Sequence, residues 1–324
     1  MKRAVLSGAV LGLMMFRAVP AQAQLNGSHS LGDFGVQSGS QPAPGVYTAL
    51  FYYRYDTDTI KDADGNPVRL SPTAPGSVAL TAAAPILWYV SKAKVMGANY
   101  GVMVVLPFAN GSIEAPAFQV DDTIATTGVA DMLVRPLDLG WHTKLADVSA
   151  GLQIYVPTGR YEHGGSNNLG KGMWAYEPFI GTTLYLDDKR SLSLATTAYW
   201  EFHSTKEDSD VKVGQLLSLQ GGVGKSYLGG GLIVGAAYYA QWKLTKDQLR
   251  EFVLPGGTQL GLDVPNKHRV FAFGPDVTLP VPSKSKLFAL VNIRYLWETG
   301  ARVKTQGDTL TVTVTFPVPS VKLK

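Results

Sequence analysis

The chain contains no cysteine, little charge and no uninterrupted helical stretch of apolar residues, and each absence removes a class of protein. Without cysteine there is no disulfide scaffold, so whatever folds this chain does so by burial and hydrogen bonding alone. Charged residues are 17% of the total, below the usual quarter, which excludes a disordered polyelectrolyte and describes a protein needing little charged surface. What is plentiful is the material of strands and turns: 45% hydrophobic residues, 35 glycines, 19 prolines and 15 tyrosines among 324 residues.

The formal net charge of +4 overstates the basic character. Residues 1–23 read as a secretory signal peptide: Lys2 and Arg3 precede an apolar run from Ala4 to Phe16, and Ala21-Gln22-Ala23 is a small-residue cleavage site. Removing Lys2, Arg3 and Arg17 from the 29 basic residues leaves 26 against 25 acidic ones, a net charge of +1. A nucleic-acid partner loses its electrostatic basis, and the chain is expected to act outside the cytoplasm.

Three charge-free stretches, 70–91, 95–113 and 226–242, approach the length of a membrane helix. Pro72, Pro75, Pro85 and Pro107, with Gly97, Gly101, Gly235 and the run Gly229 to Gly231, are incompatible with helix interiors. A period of two fits instead. In the last segment Leu310, Val312, Val314 and Phe316 share one face, and Thr309, Thr311, Thr313 and Thr315 the other. This alternation predicts twelve strands, near 46–56, 77–90, 95–107, 129–143, 146–158, 173–187, 190–203, 214–226, 231–244, 267–279, 286–298 and 309–322. Five tight turns alternate with six larger loops between them. An even number of antiparallel strands with connections sorted by length onto two ends predicts an all-β fold, a transmembrane antiparallel β-barrel of about 12 strands occupying residues 46–324. The six tryptophans lie near strand ends and are expected in interfacial girdles. In the fourth strand Met132 and Val134 share one parity and Leu137, Leu139 and Trp141 the other, which predicts a bulge at Arg135-Pro136.

Local motifs point away from catalysis. Gly224-Lys225-Ser226 lacks the upstream glycine of a phosphate loop, because Leu219 stands there, and no helix follows. Asp56, Asp58, Asp62, Asp64 and Asn66 fit no calcium-loop register, and Asp64-Gly65 reads as a turn. The five histidines have no metal-ligand spacing, so no metal and no cofactor are expected. A hydrolase would need His203 with Ser204, or His142 with Ser149, and neither carries a nucleophile signature. The mixed faces of the strands are more informative. With the apolar faces toward lipid, Arg54, Asp131, Arg135, Asp138, His142, Glu177, Glu201, His203, Lys243, Asp276, Asn292, Arg294 and Glu298 are predicted to line the lumen or its mouths, with Tyr52, Tyr155, Tyr199 and Tyr239 between them. Two readings stay open: opposite charges pair and fill a narrow barrel, or they ring a weakly selective passage.

Several longer motifs carry a resemblance: Gly32-Asp33-Phe34-Gly35, Tyr53-Arg54-Tyr55-Asp56, Asn99-Tyr100-Gly101, Asp131 with Arg135-Pro136-Leu137 and Leu139-Gly140-Trp141, Pro157-Thr158-Gly159-Arg160-Tyr161, and Phe316-Pro317-Val318-Pro319-Ser320. Over nearly the whole mature chain this resembles the outer-membrane proteins associated with the meta-pathway of phenol degradation, themselves distantly similar to fatty acid and toluene channels. The resemblance implies passive uptake of small hydrophobic or aromatic compounds across the outer membrane, linked to phenol degradation, and implies no catalytic residue. Alternatives of other classes are a closed structural or adhesive barrel and, third, a barrel hydrolase. Expected partners are outer-membrane lipid, a small hydrophobic or aromatic solute and the barrel assembly machinery. The terminus Lys322-Leu323-Lys324 departs from the usual final aromatic, a role that Phe316 is placed to take. Residues 24–45 form a Gly-rich tail that carries Leu31, Phe34 and Val36. The tail reads either as a lumen plug, with Asp33 meeting Arg54 or Arg294, or as a free periplasmic segment.

Overall fold

The structure is a computed structural model that describes residues 26–68, 77–115, 120–163, 167–248, 252–253, 259–260, 267–283 and 286–316. The expected signal peptide and the Lys322-Leu323-Lys324 terminus lie outside the described residues. Twelve antiparallel strands close into a barrel, as the alternation predicts. They are β1 (Gly45–Thr57), β2 (Ser77–Val95), β3 (Ala98–Val105, resuming as Phe108–Ala115), β4 (Val120–Val129, resuming as Met132–His142), β5 (Ala146–Val156), β6 (Ala175–Tyr185), β7 (Leu192–His203), β8 (Leu216–Tyr227), β9 (Leu232–Lys243), β10 (Arg269–Ser283), β11 (Lys286–Arg302) and β12 (Asp308–Phe316). Each pairs with its neighbours in sequence. The seam closes because β1 pairs with β2 from Gly45↔Val90 to Thr57↔Val78 and with β12 from Thr48↔Phe316 to Asp56↔Asp308.

Alternation sets the two faces. In β7, Ser193, Ala195, Thr197, Tyr199, Glu201 and His203 are buried inside, while Leu194 and Trp200 are exposed outside. Ile180, Val234, Phe273 and Ile293 belong to the same outer apolar band, and Trp174, Tyr176, Trp200 and Trp297 mark its long-loop end. Trp88 departs from the expected girdle: it faces inward, and its Nε1–H donates to Asp138 Oδ2 at 2.8 Å. The segment Gly224-Lys225-Ser226 lies within β8, and Asp62 Oδ1 accepts the backbone N–H groups of Asp64 and Asn66, with Gly65 at φ +89°, which makes that segment a turn.

The bulge in β4 stands where the parity switch put it. Val134 faces Ile154 and Leu137 faces Leu152, so three steps on one strand match two on the other, and the same slip recurs against β3. Its effect is to bring Arg135 and Asp138 onto the inner face as successive inward residues, both buried. A second departure from the sequence reading is taller strands. Within the expected loop 108–128, residues 108–115 and 120–128 continue the ladder: Phe108–Ala115 pairs with β2 on one side and with Val120–Val129 on the other, past an irregularity at Leu106-Pro107. Above the apolar band an outward face needs no apolar residues, so the alternation that reveals the lower strands is missing there.

Ile180, at the middle of β6, is 61% exposed on the outer face. Ile180→Arg should destabilise the folded barrel by about 2–4 kcal/mol, measured by urea unfolding in lipid vesicles. Leu145→Arg in the β4–β5 turn should change it by less than about 0.5 kcal/mol.

Candidate functional site: a lumen occupied by the N-terminal segment

Residues 26–44 run up the inside of the barrel from the short-turn end, where β1 begins, toward the long-loop end. Near the short turns, Ser40 Oγ donates to Asp147 Oδ2 at 2.9 Å and Gln41 Nε2 to the carbonyl of Asp138 at 2.9 Å. Higher up, Ser38 Oγ donates to the carbonyl of Gln220, the N–H of Val36 donates to Asp276, and Arg294 Nη1 donates to the carbonyl of Gly32 at 2.7 Å. His29 Nδ1 lies 2.9 Å from Glu177, with its ring 4.5 Å from that of Tyr199, and the N–H of Ser28 donates to Glu201. Leu31 fills an apolar patch of this wall, against Ala237, Tyr239, Val270, Ala272 and Leu296. The wall is cut to receive the segment. A methyl group at Gly224 would stand 2.6 Å from Val36 Cγ1, and one at Gly39 would meet the backbone of Thr182 at 2.3 Å.

The predicted lumen residues fall into three groups. At the centre, Arg294 and Asp276 pair at 3.0 Å with Asn292 donating to Asp276, and Arg135 Nη2 donates to Gln153 Oε1 at 2.7 Å. Gln153 in turn reaches Glu177 and Tyr155. At the long-loop end, Glu201 and His203 pair at 2.9 Å and Lys243 bonds Asp247 at 2.8 Å. Glu298 there accepts from Tyr239 at 2.7 Å and Tyr55 at 2.9 Å, and Asp131 accepts the N–H groups of Gly159 and Lys171. His142 stands apart, at the short-turn end, beside Asp147 at 3.1 Å.

Arg54 is not a lumen residue. Its side chain is 54% exposed on the outer face, where it pairs with Asp56 at 2.6 Å. Tyr52 shares that face, and Tyr53 and Tyr55 take the inward positions. The run Phe51-Tyr52-Tyr53 puts aromatic side chains on both faces of β1, so its parity offers no apolar contrast. Asp33 correspondingly meets neither arginine: its Oδ1 accepts from Gln220 Nε2 at 2.7 Å, and Arg294 takes the neighbouring carbonyl. Gln153 and Gln220, both strongly connected, carry no charge that would mark them in the sequence. Both lie at the parity of predicted lumen residues, two positions from Tyr155 in β5 and at the register partner of Tyr239 in β9.

The long-loop mouth also holds Lys206, whose Nζ donates to the carbonyl of Lys171 at 2.7 Å, and Lys304, whose Nζ donates to Gln241 Oε1. Burial, with Lys171 adding to it, pushes the Lys206 ammonium down to about 8. Burial likewise lowers Lys304 to about 8, against the opposing pull of Glu298.

A closed antiparallel barrel with an apolar outer band and a polar, charged and aromatic interior defines the fold of a transmembrane barrel of the outer-membrane type. The chain belongs to the family described as putative MetA-pathway of phenol degradation, which matches residues 57–314. Its fold is similar to the crystal structure of an outer-membrane channel from Pseudomonas putida F1, with a TM-score of 0.72 and 14% identity, over 87% of this chain and 99% of that one. The transport unit of the autotransporter AIDA-I from Escherichia coli aligns at 10% identity over 92% of this chain and 97% of its own, with a TM-score of 0.46 that carries no further weight. No curated protein matches the chain in sequence.

Gly224→Ala should unseat Val36 without breaking the β8–β9 ladder. The expected result is faster protease cleavage within residues 26–41 while the barrel keeps its heat-resistant gel migration. Lys206 and Lys304 lose their charge as pH rises through about 8, so permeability to anions relative to cations should fall between about pH 6.5 and 9.5. Reversal potentials in a salt gradient measure it, and the double variant Lys206→Met with Lys304→Met should flatten the profile.

Proposed function

We propose that this protein is a bacterial outer-membrane channel for passive uptake of small hydrophobic or aromatic compounds, constricted by its own N-terminal segment. The observation that carries this reading is what fills the lumen: a stretch of chain outside the barrel strands, residues 26–44, seated among aromatic and paired charged side chains, in place of a continuous side-chain core. Membership of a family associated with phenol degradation supports an aromatic solute. In this reading the five short turns face the periplasm, the long loops face outward, the outer band meets lipid, and the barrel assembly machinery inserts the chain after export.

A hydrolase finds no support in the geometry. His203 is held between Glu201 and the carbonyl of Val213, and Ser204 Oγ donates to the carbonyl of Thr205. A sealed structural or adhesive barrel is the competing reading, because the tail as placed obstructs the passage.

Planar-bilayer conductance separates the two. The intact protein should show small conductance steps, and deletion of residues 26–41 should enlarge them severalfold, whereas a silent barrel in both forms would favour the sealed reading. In cells, removing the protein should slow uptake of labelled phenol or toluene at micromolar concentration, and equal uptake across a panel of aromatic compounds would refute the channel role.

A further inference from the structure

Arg135 is 4% exposed, and it is held by rings where a carboxylate would be expected. Its Nε and Nη2 both donate to Gln153 Oε1, and among the described residues it forms no ion pair. Its guanidinium carbon lies 4.5 Å from the ring of Phe179, 5.7 Å from Phe34 and 6.0 Å from Trp88. Two of these rings belong to the wall. The third, Phe34, belongs to the N-terminal segment, so one aromatic face of this cation is contributed by a part of the chain that is not in the barrel wall.

The bulge at Arg135-Pro136 makes Asp138 the next inward residue along β4. Asp138 is 1% exposed, and Trp88, which already borders Arg135, donates its Nε1–H to Oδ2. Oδ1 has no hydrogen-bond partner among the described residues. A buried carboxylate oxygen without a donor is a standing energetic penalty, relieved by any group that brings an O–H or N–H. Arg135 and Asp138 therefore combine, on either side of Trp88, a cation that accepts an aromatic face and an acceptor that lacks a donor.

We propose that these residues form a solute seat in which Phe34 holds the place of an aromatic ring, and that the solute is a neutral hydroxyaromatic whose ring replaces Phe34 on Arg135 while its hydroxyl donates to Asp138 Oδ1. The seat rests on the channel reading and specifies where and how that channel holds its solute. A ring without a hydroxyl gains the stacking alone. An aromatic carboxylate gains Arg135 and is opposed by Asp138. Entry of the solute and departure of Phe34 are one exchange, so binding loosens the segment that constricts the lumen.

The test is calorimetric titration of the purified full-length protein in detergent with phenol, toluene and benzoate. Phenol should bind most tightly. Phe34→Ala should tighten phenol binding about tenfold, because no ring has to be displaced first. Asp138→Asn should weaken phenol about tenfold and leave toluene unchanged, since the amide oxygen stays on the Trp88 Nε1–H and the NH2 group, a donor, replaces the oxygen that accepts the hydroxyl. Heat-modifiable gel migration checks that each variant barrel is folded, and Phe34→Leu, which removes only the ring, should reproduce the effect of Phe34→Ala. Equal binding of phenol and toluene by the wild type, tighter binding of benzoate than of phenol, or no effect of either Phe34 substitution would overturn the seat. Phenol binding that depends on Phe34, in a protein whose absence leaves cellular uptake unchanged, would keep the seat and remove the channel reading. Uptake without such binding would remove the seat and keep the channel.

Discussion

Inside lipid a backbone N–H without an acceptor finds no water, so a sheet that crosses a membrane cannot have an edge. In this chain that requirement falls on the seam where β1 pairs with β2 on one side and with β12 on the other. Closure then fixes nearly everything else. Each strand turns one row of side chains to lipid and the other to an enclosed space, and the enclosed row, being relieved of contact with lipid, is free to carry charge. A narrow barrel with charges inside must nevertheless satisfy them, because the space between walls is too small for bulk solvation.

The chain meets this second requirement in an unusual place, with its own N-terminal segment. Asp276 takes one donor from Arg294, one from Asn292 and one from the backbone of Val36. Glu177 takes His29 and Gln153, and Gln220 divides its amide between His29 and Asp33 while its carbonyl oxygen accepts the N–H of Gly32. Wall and segment complete each other's hydrogen bonds. The segment is therefore held by polar contacts of moderate net strength, and the apolar patch around Leu31 adds an anchor at one point along its length.

Much of this was legible in the sequence where the two faces differ in chemistry. β12 alternates threonine with apolar residues and its faces are unambiguous, and the bulge in β4 announces itself as a parity switch between Val134 and Leu137. Legibility fails where the contrast fails. Consecutive aromatics in β1 concealed that Arg54 faces outward, Trp88 looked like every other tryptophan near a strand end, and the ladder above the apolar band reads as loop because its outer face has no reason to be apolar. The roles of Gln153, Gln220 and Phe34 depend on which strands become neighbours, and on a segment remote in sequence lying between them, neither of which a one-dimensional pattern contains.

The tall hairpin formed by β3 and β4 has a price of its own. Where Val120–Val129 rises above the end of β5 at Val156, its second edge has no strand beside it among the described residues. Water replaces lipid at that height, so the edge can be stable, yet an open strand edge is also an invitation to any other extended chain. Here the β5–β6 loop stands guard: Asn167 Oδ1 accepts the N–H of Thr126, and Arg160 Nη2 donates to the carbonyl of Thr126 while its Nε holds the carbonyl of Asn167. The same loop carries Lys171, whose N–H is fastened to Asp131. The contacts that cover this strand edge thus also fasten the loop that closes over Asp131 at the long-loop end of the lumen.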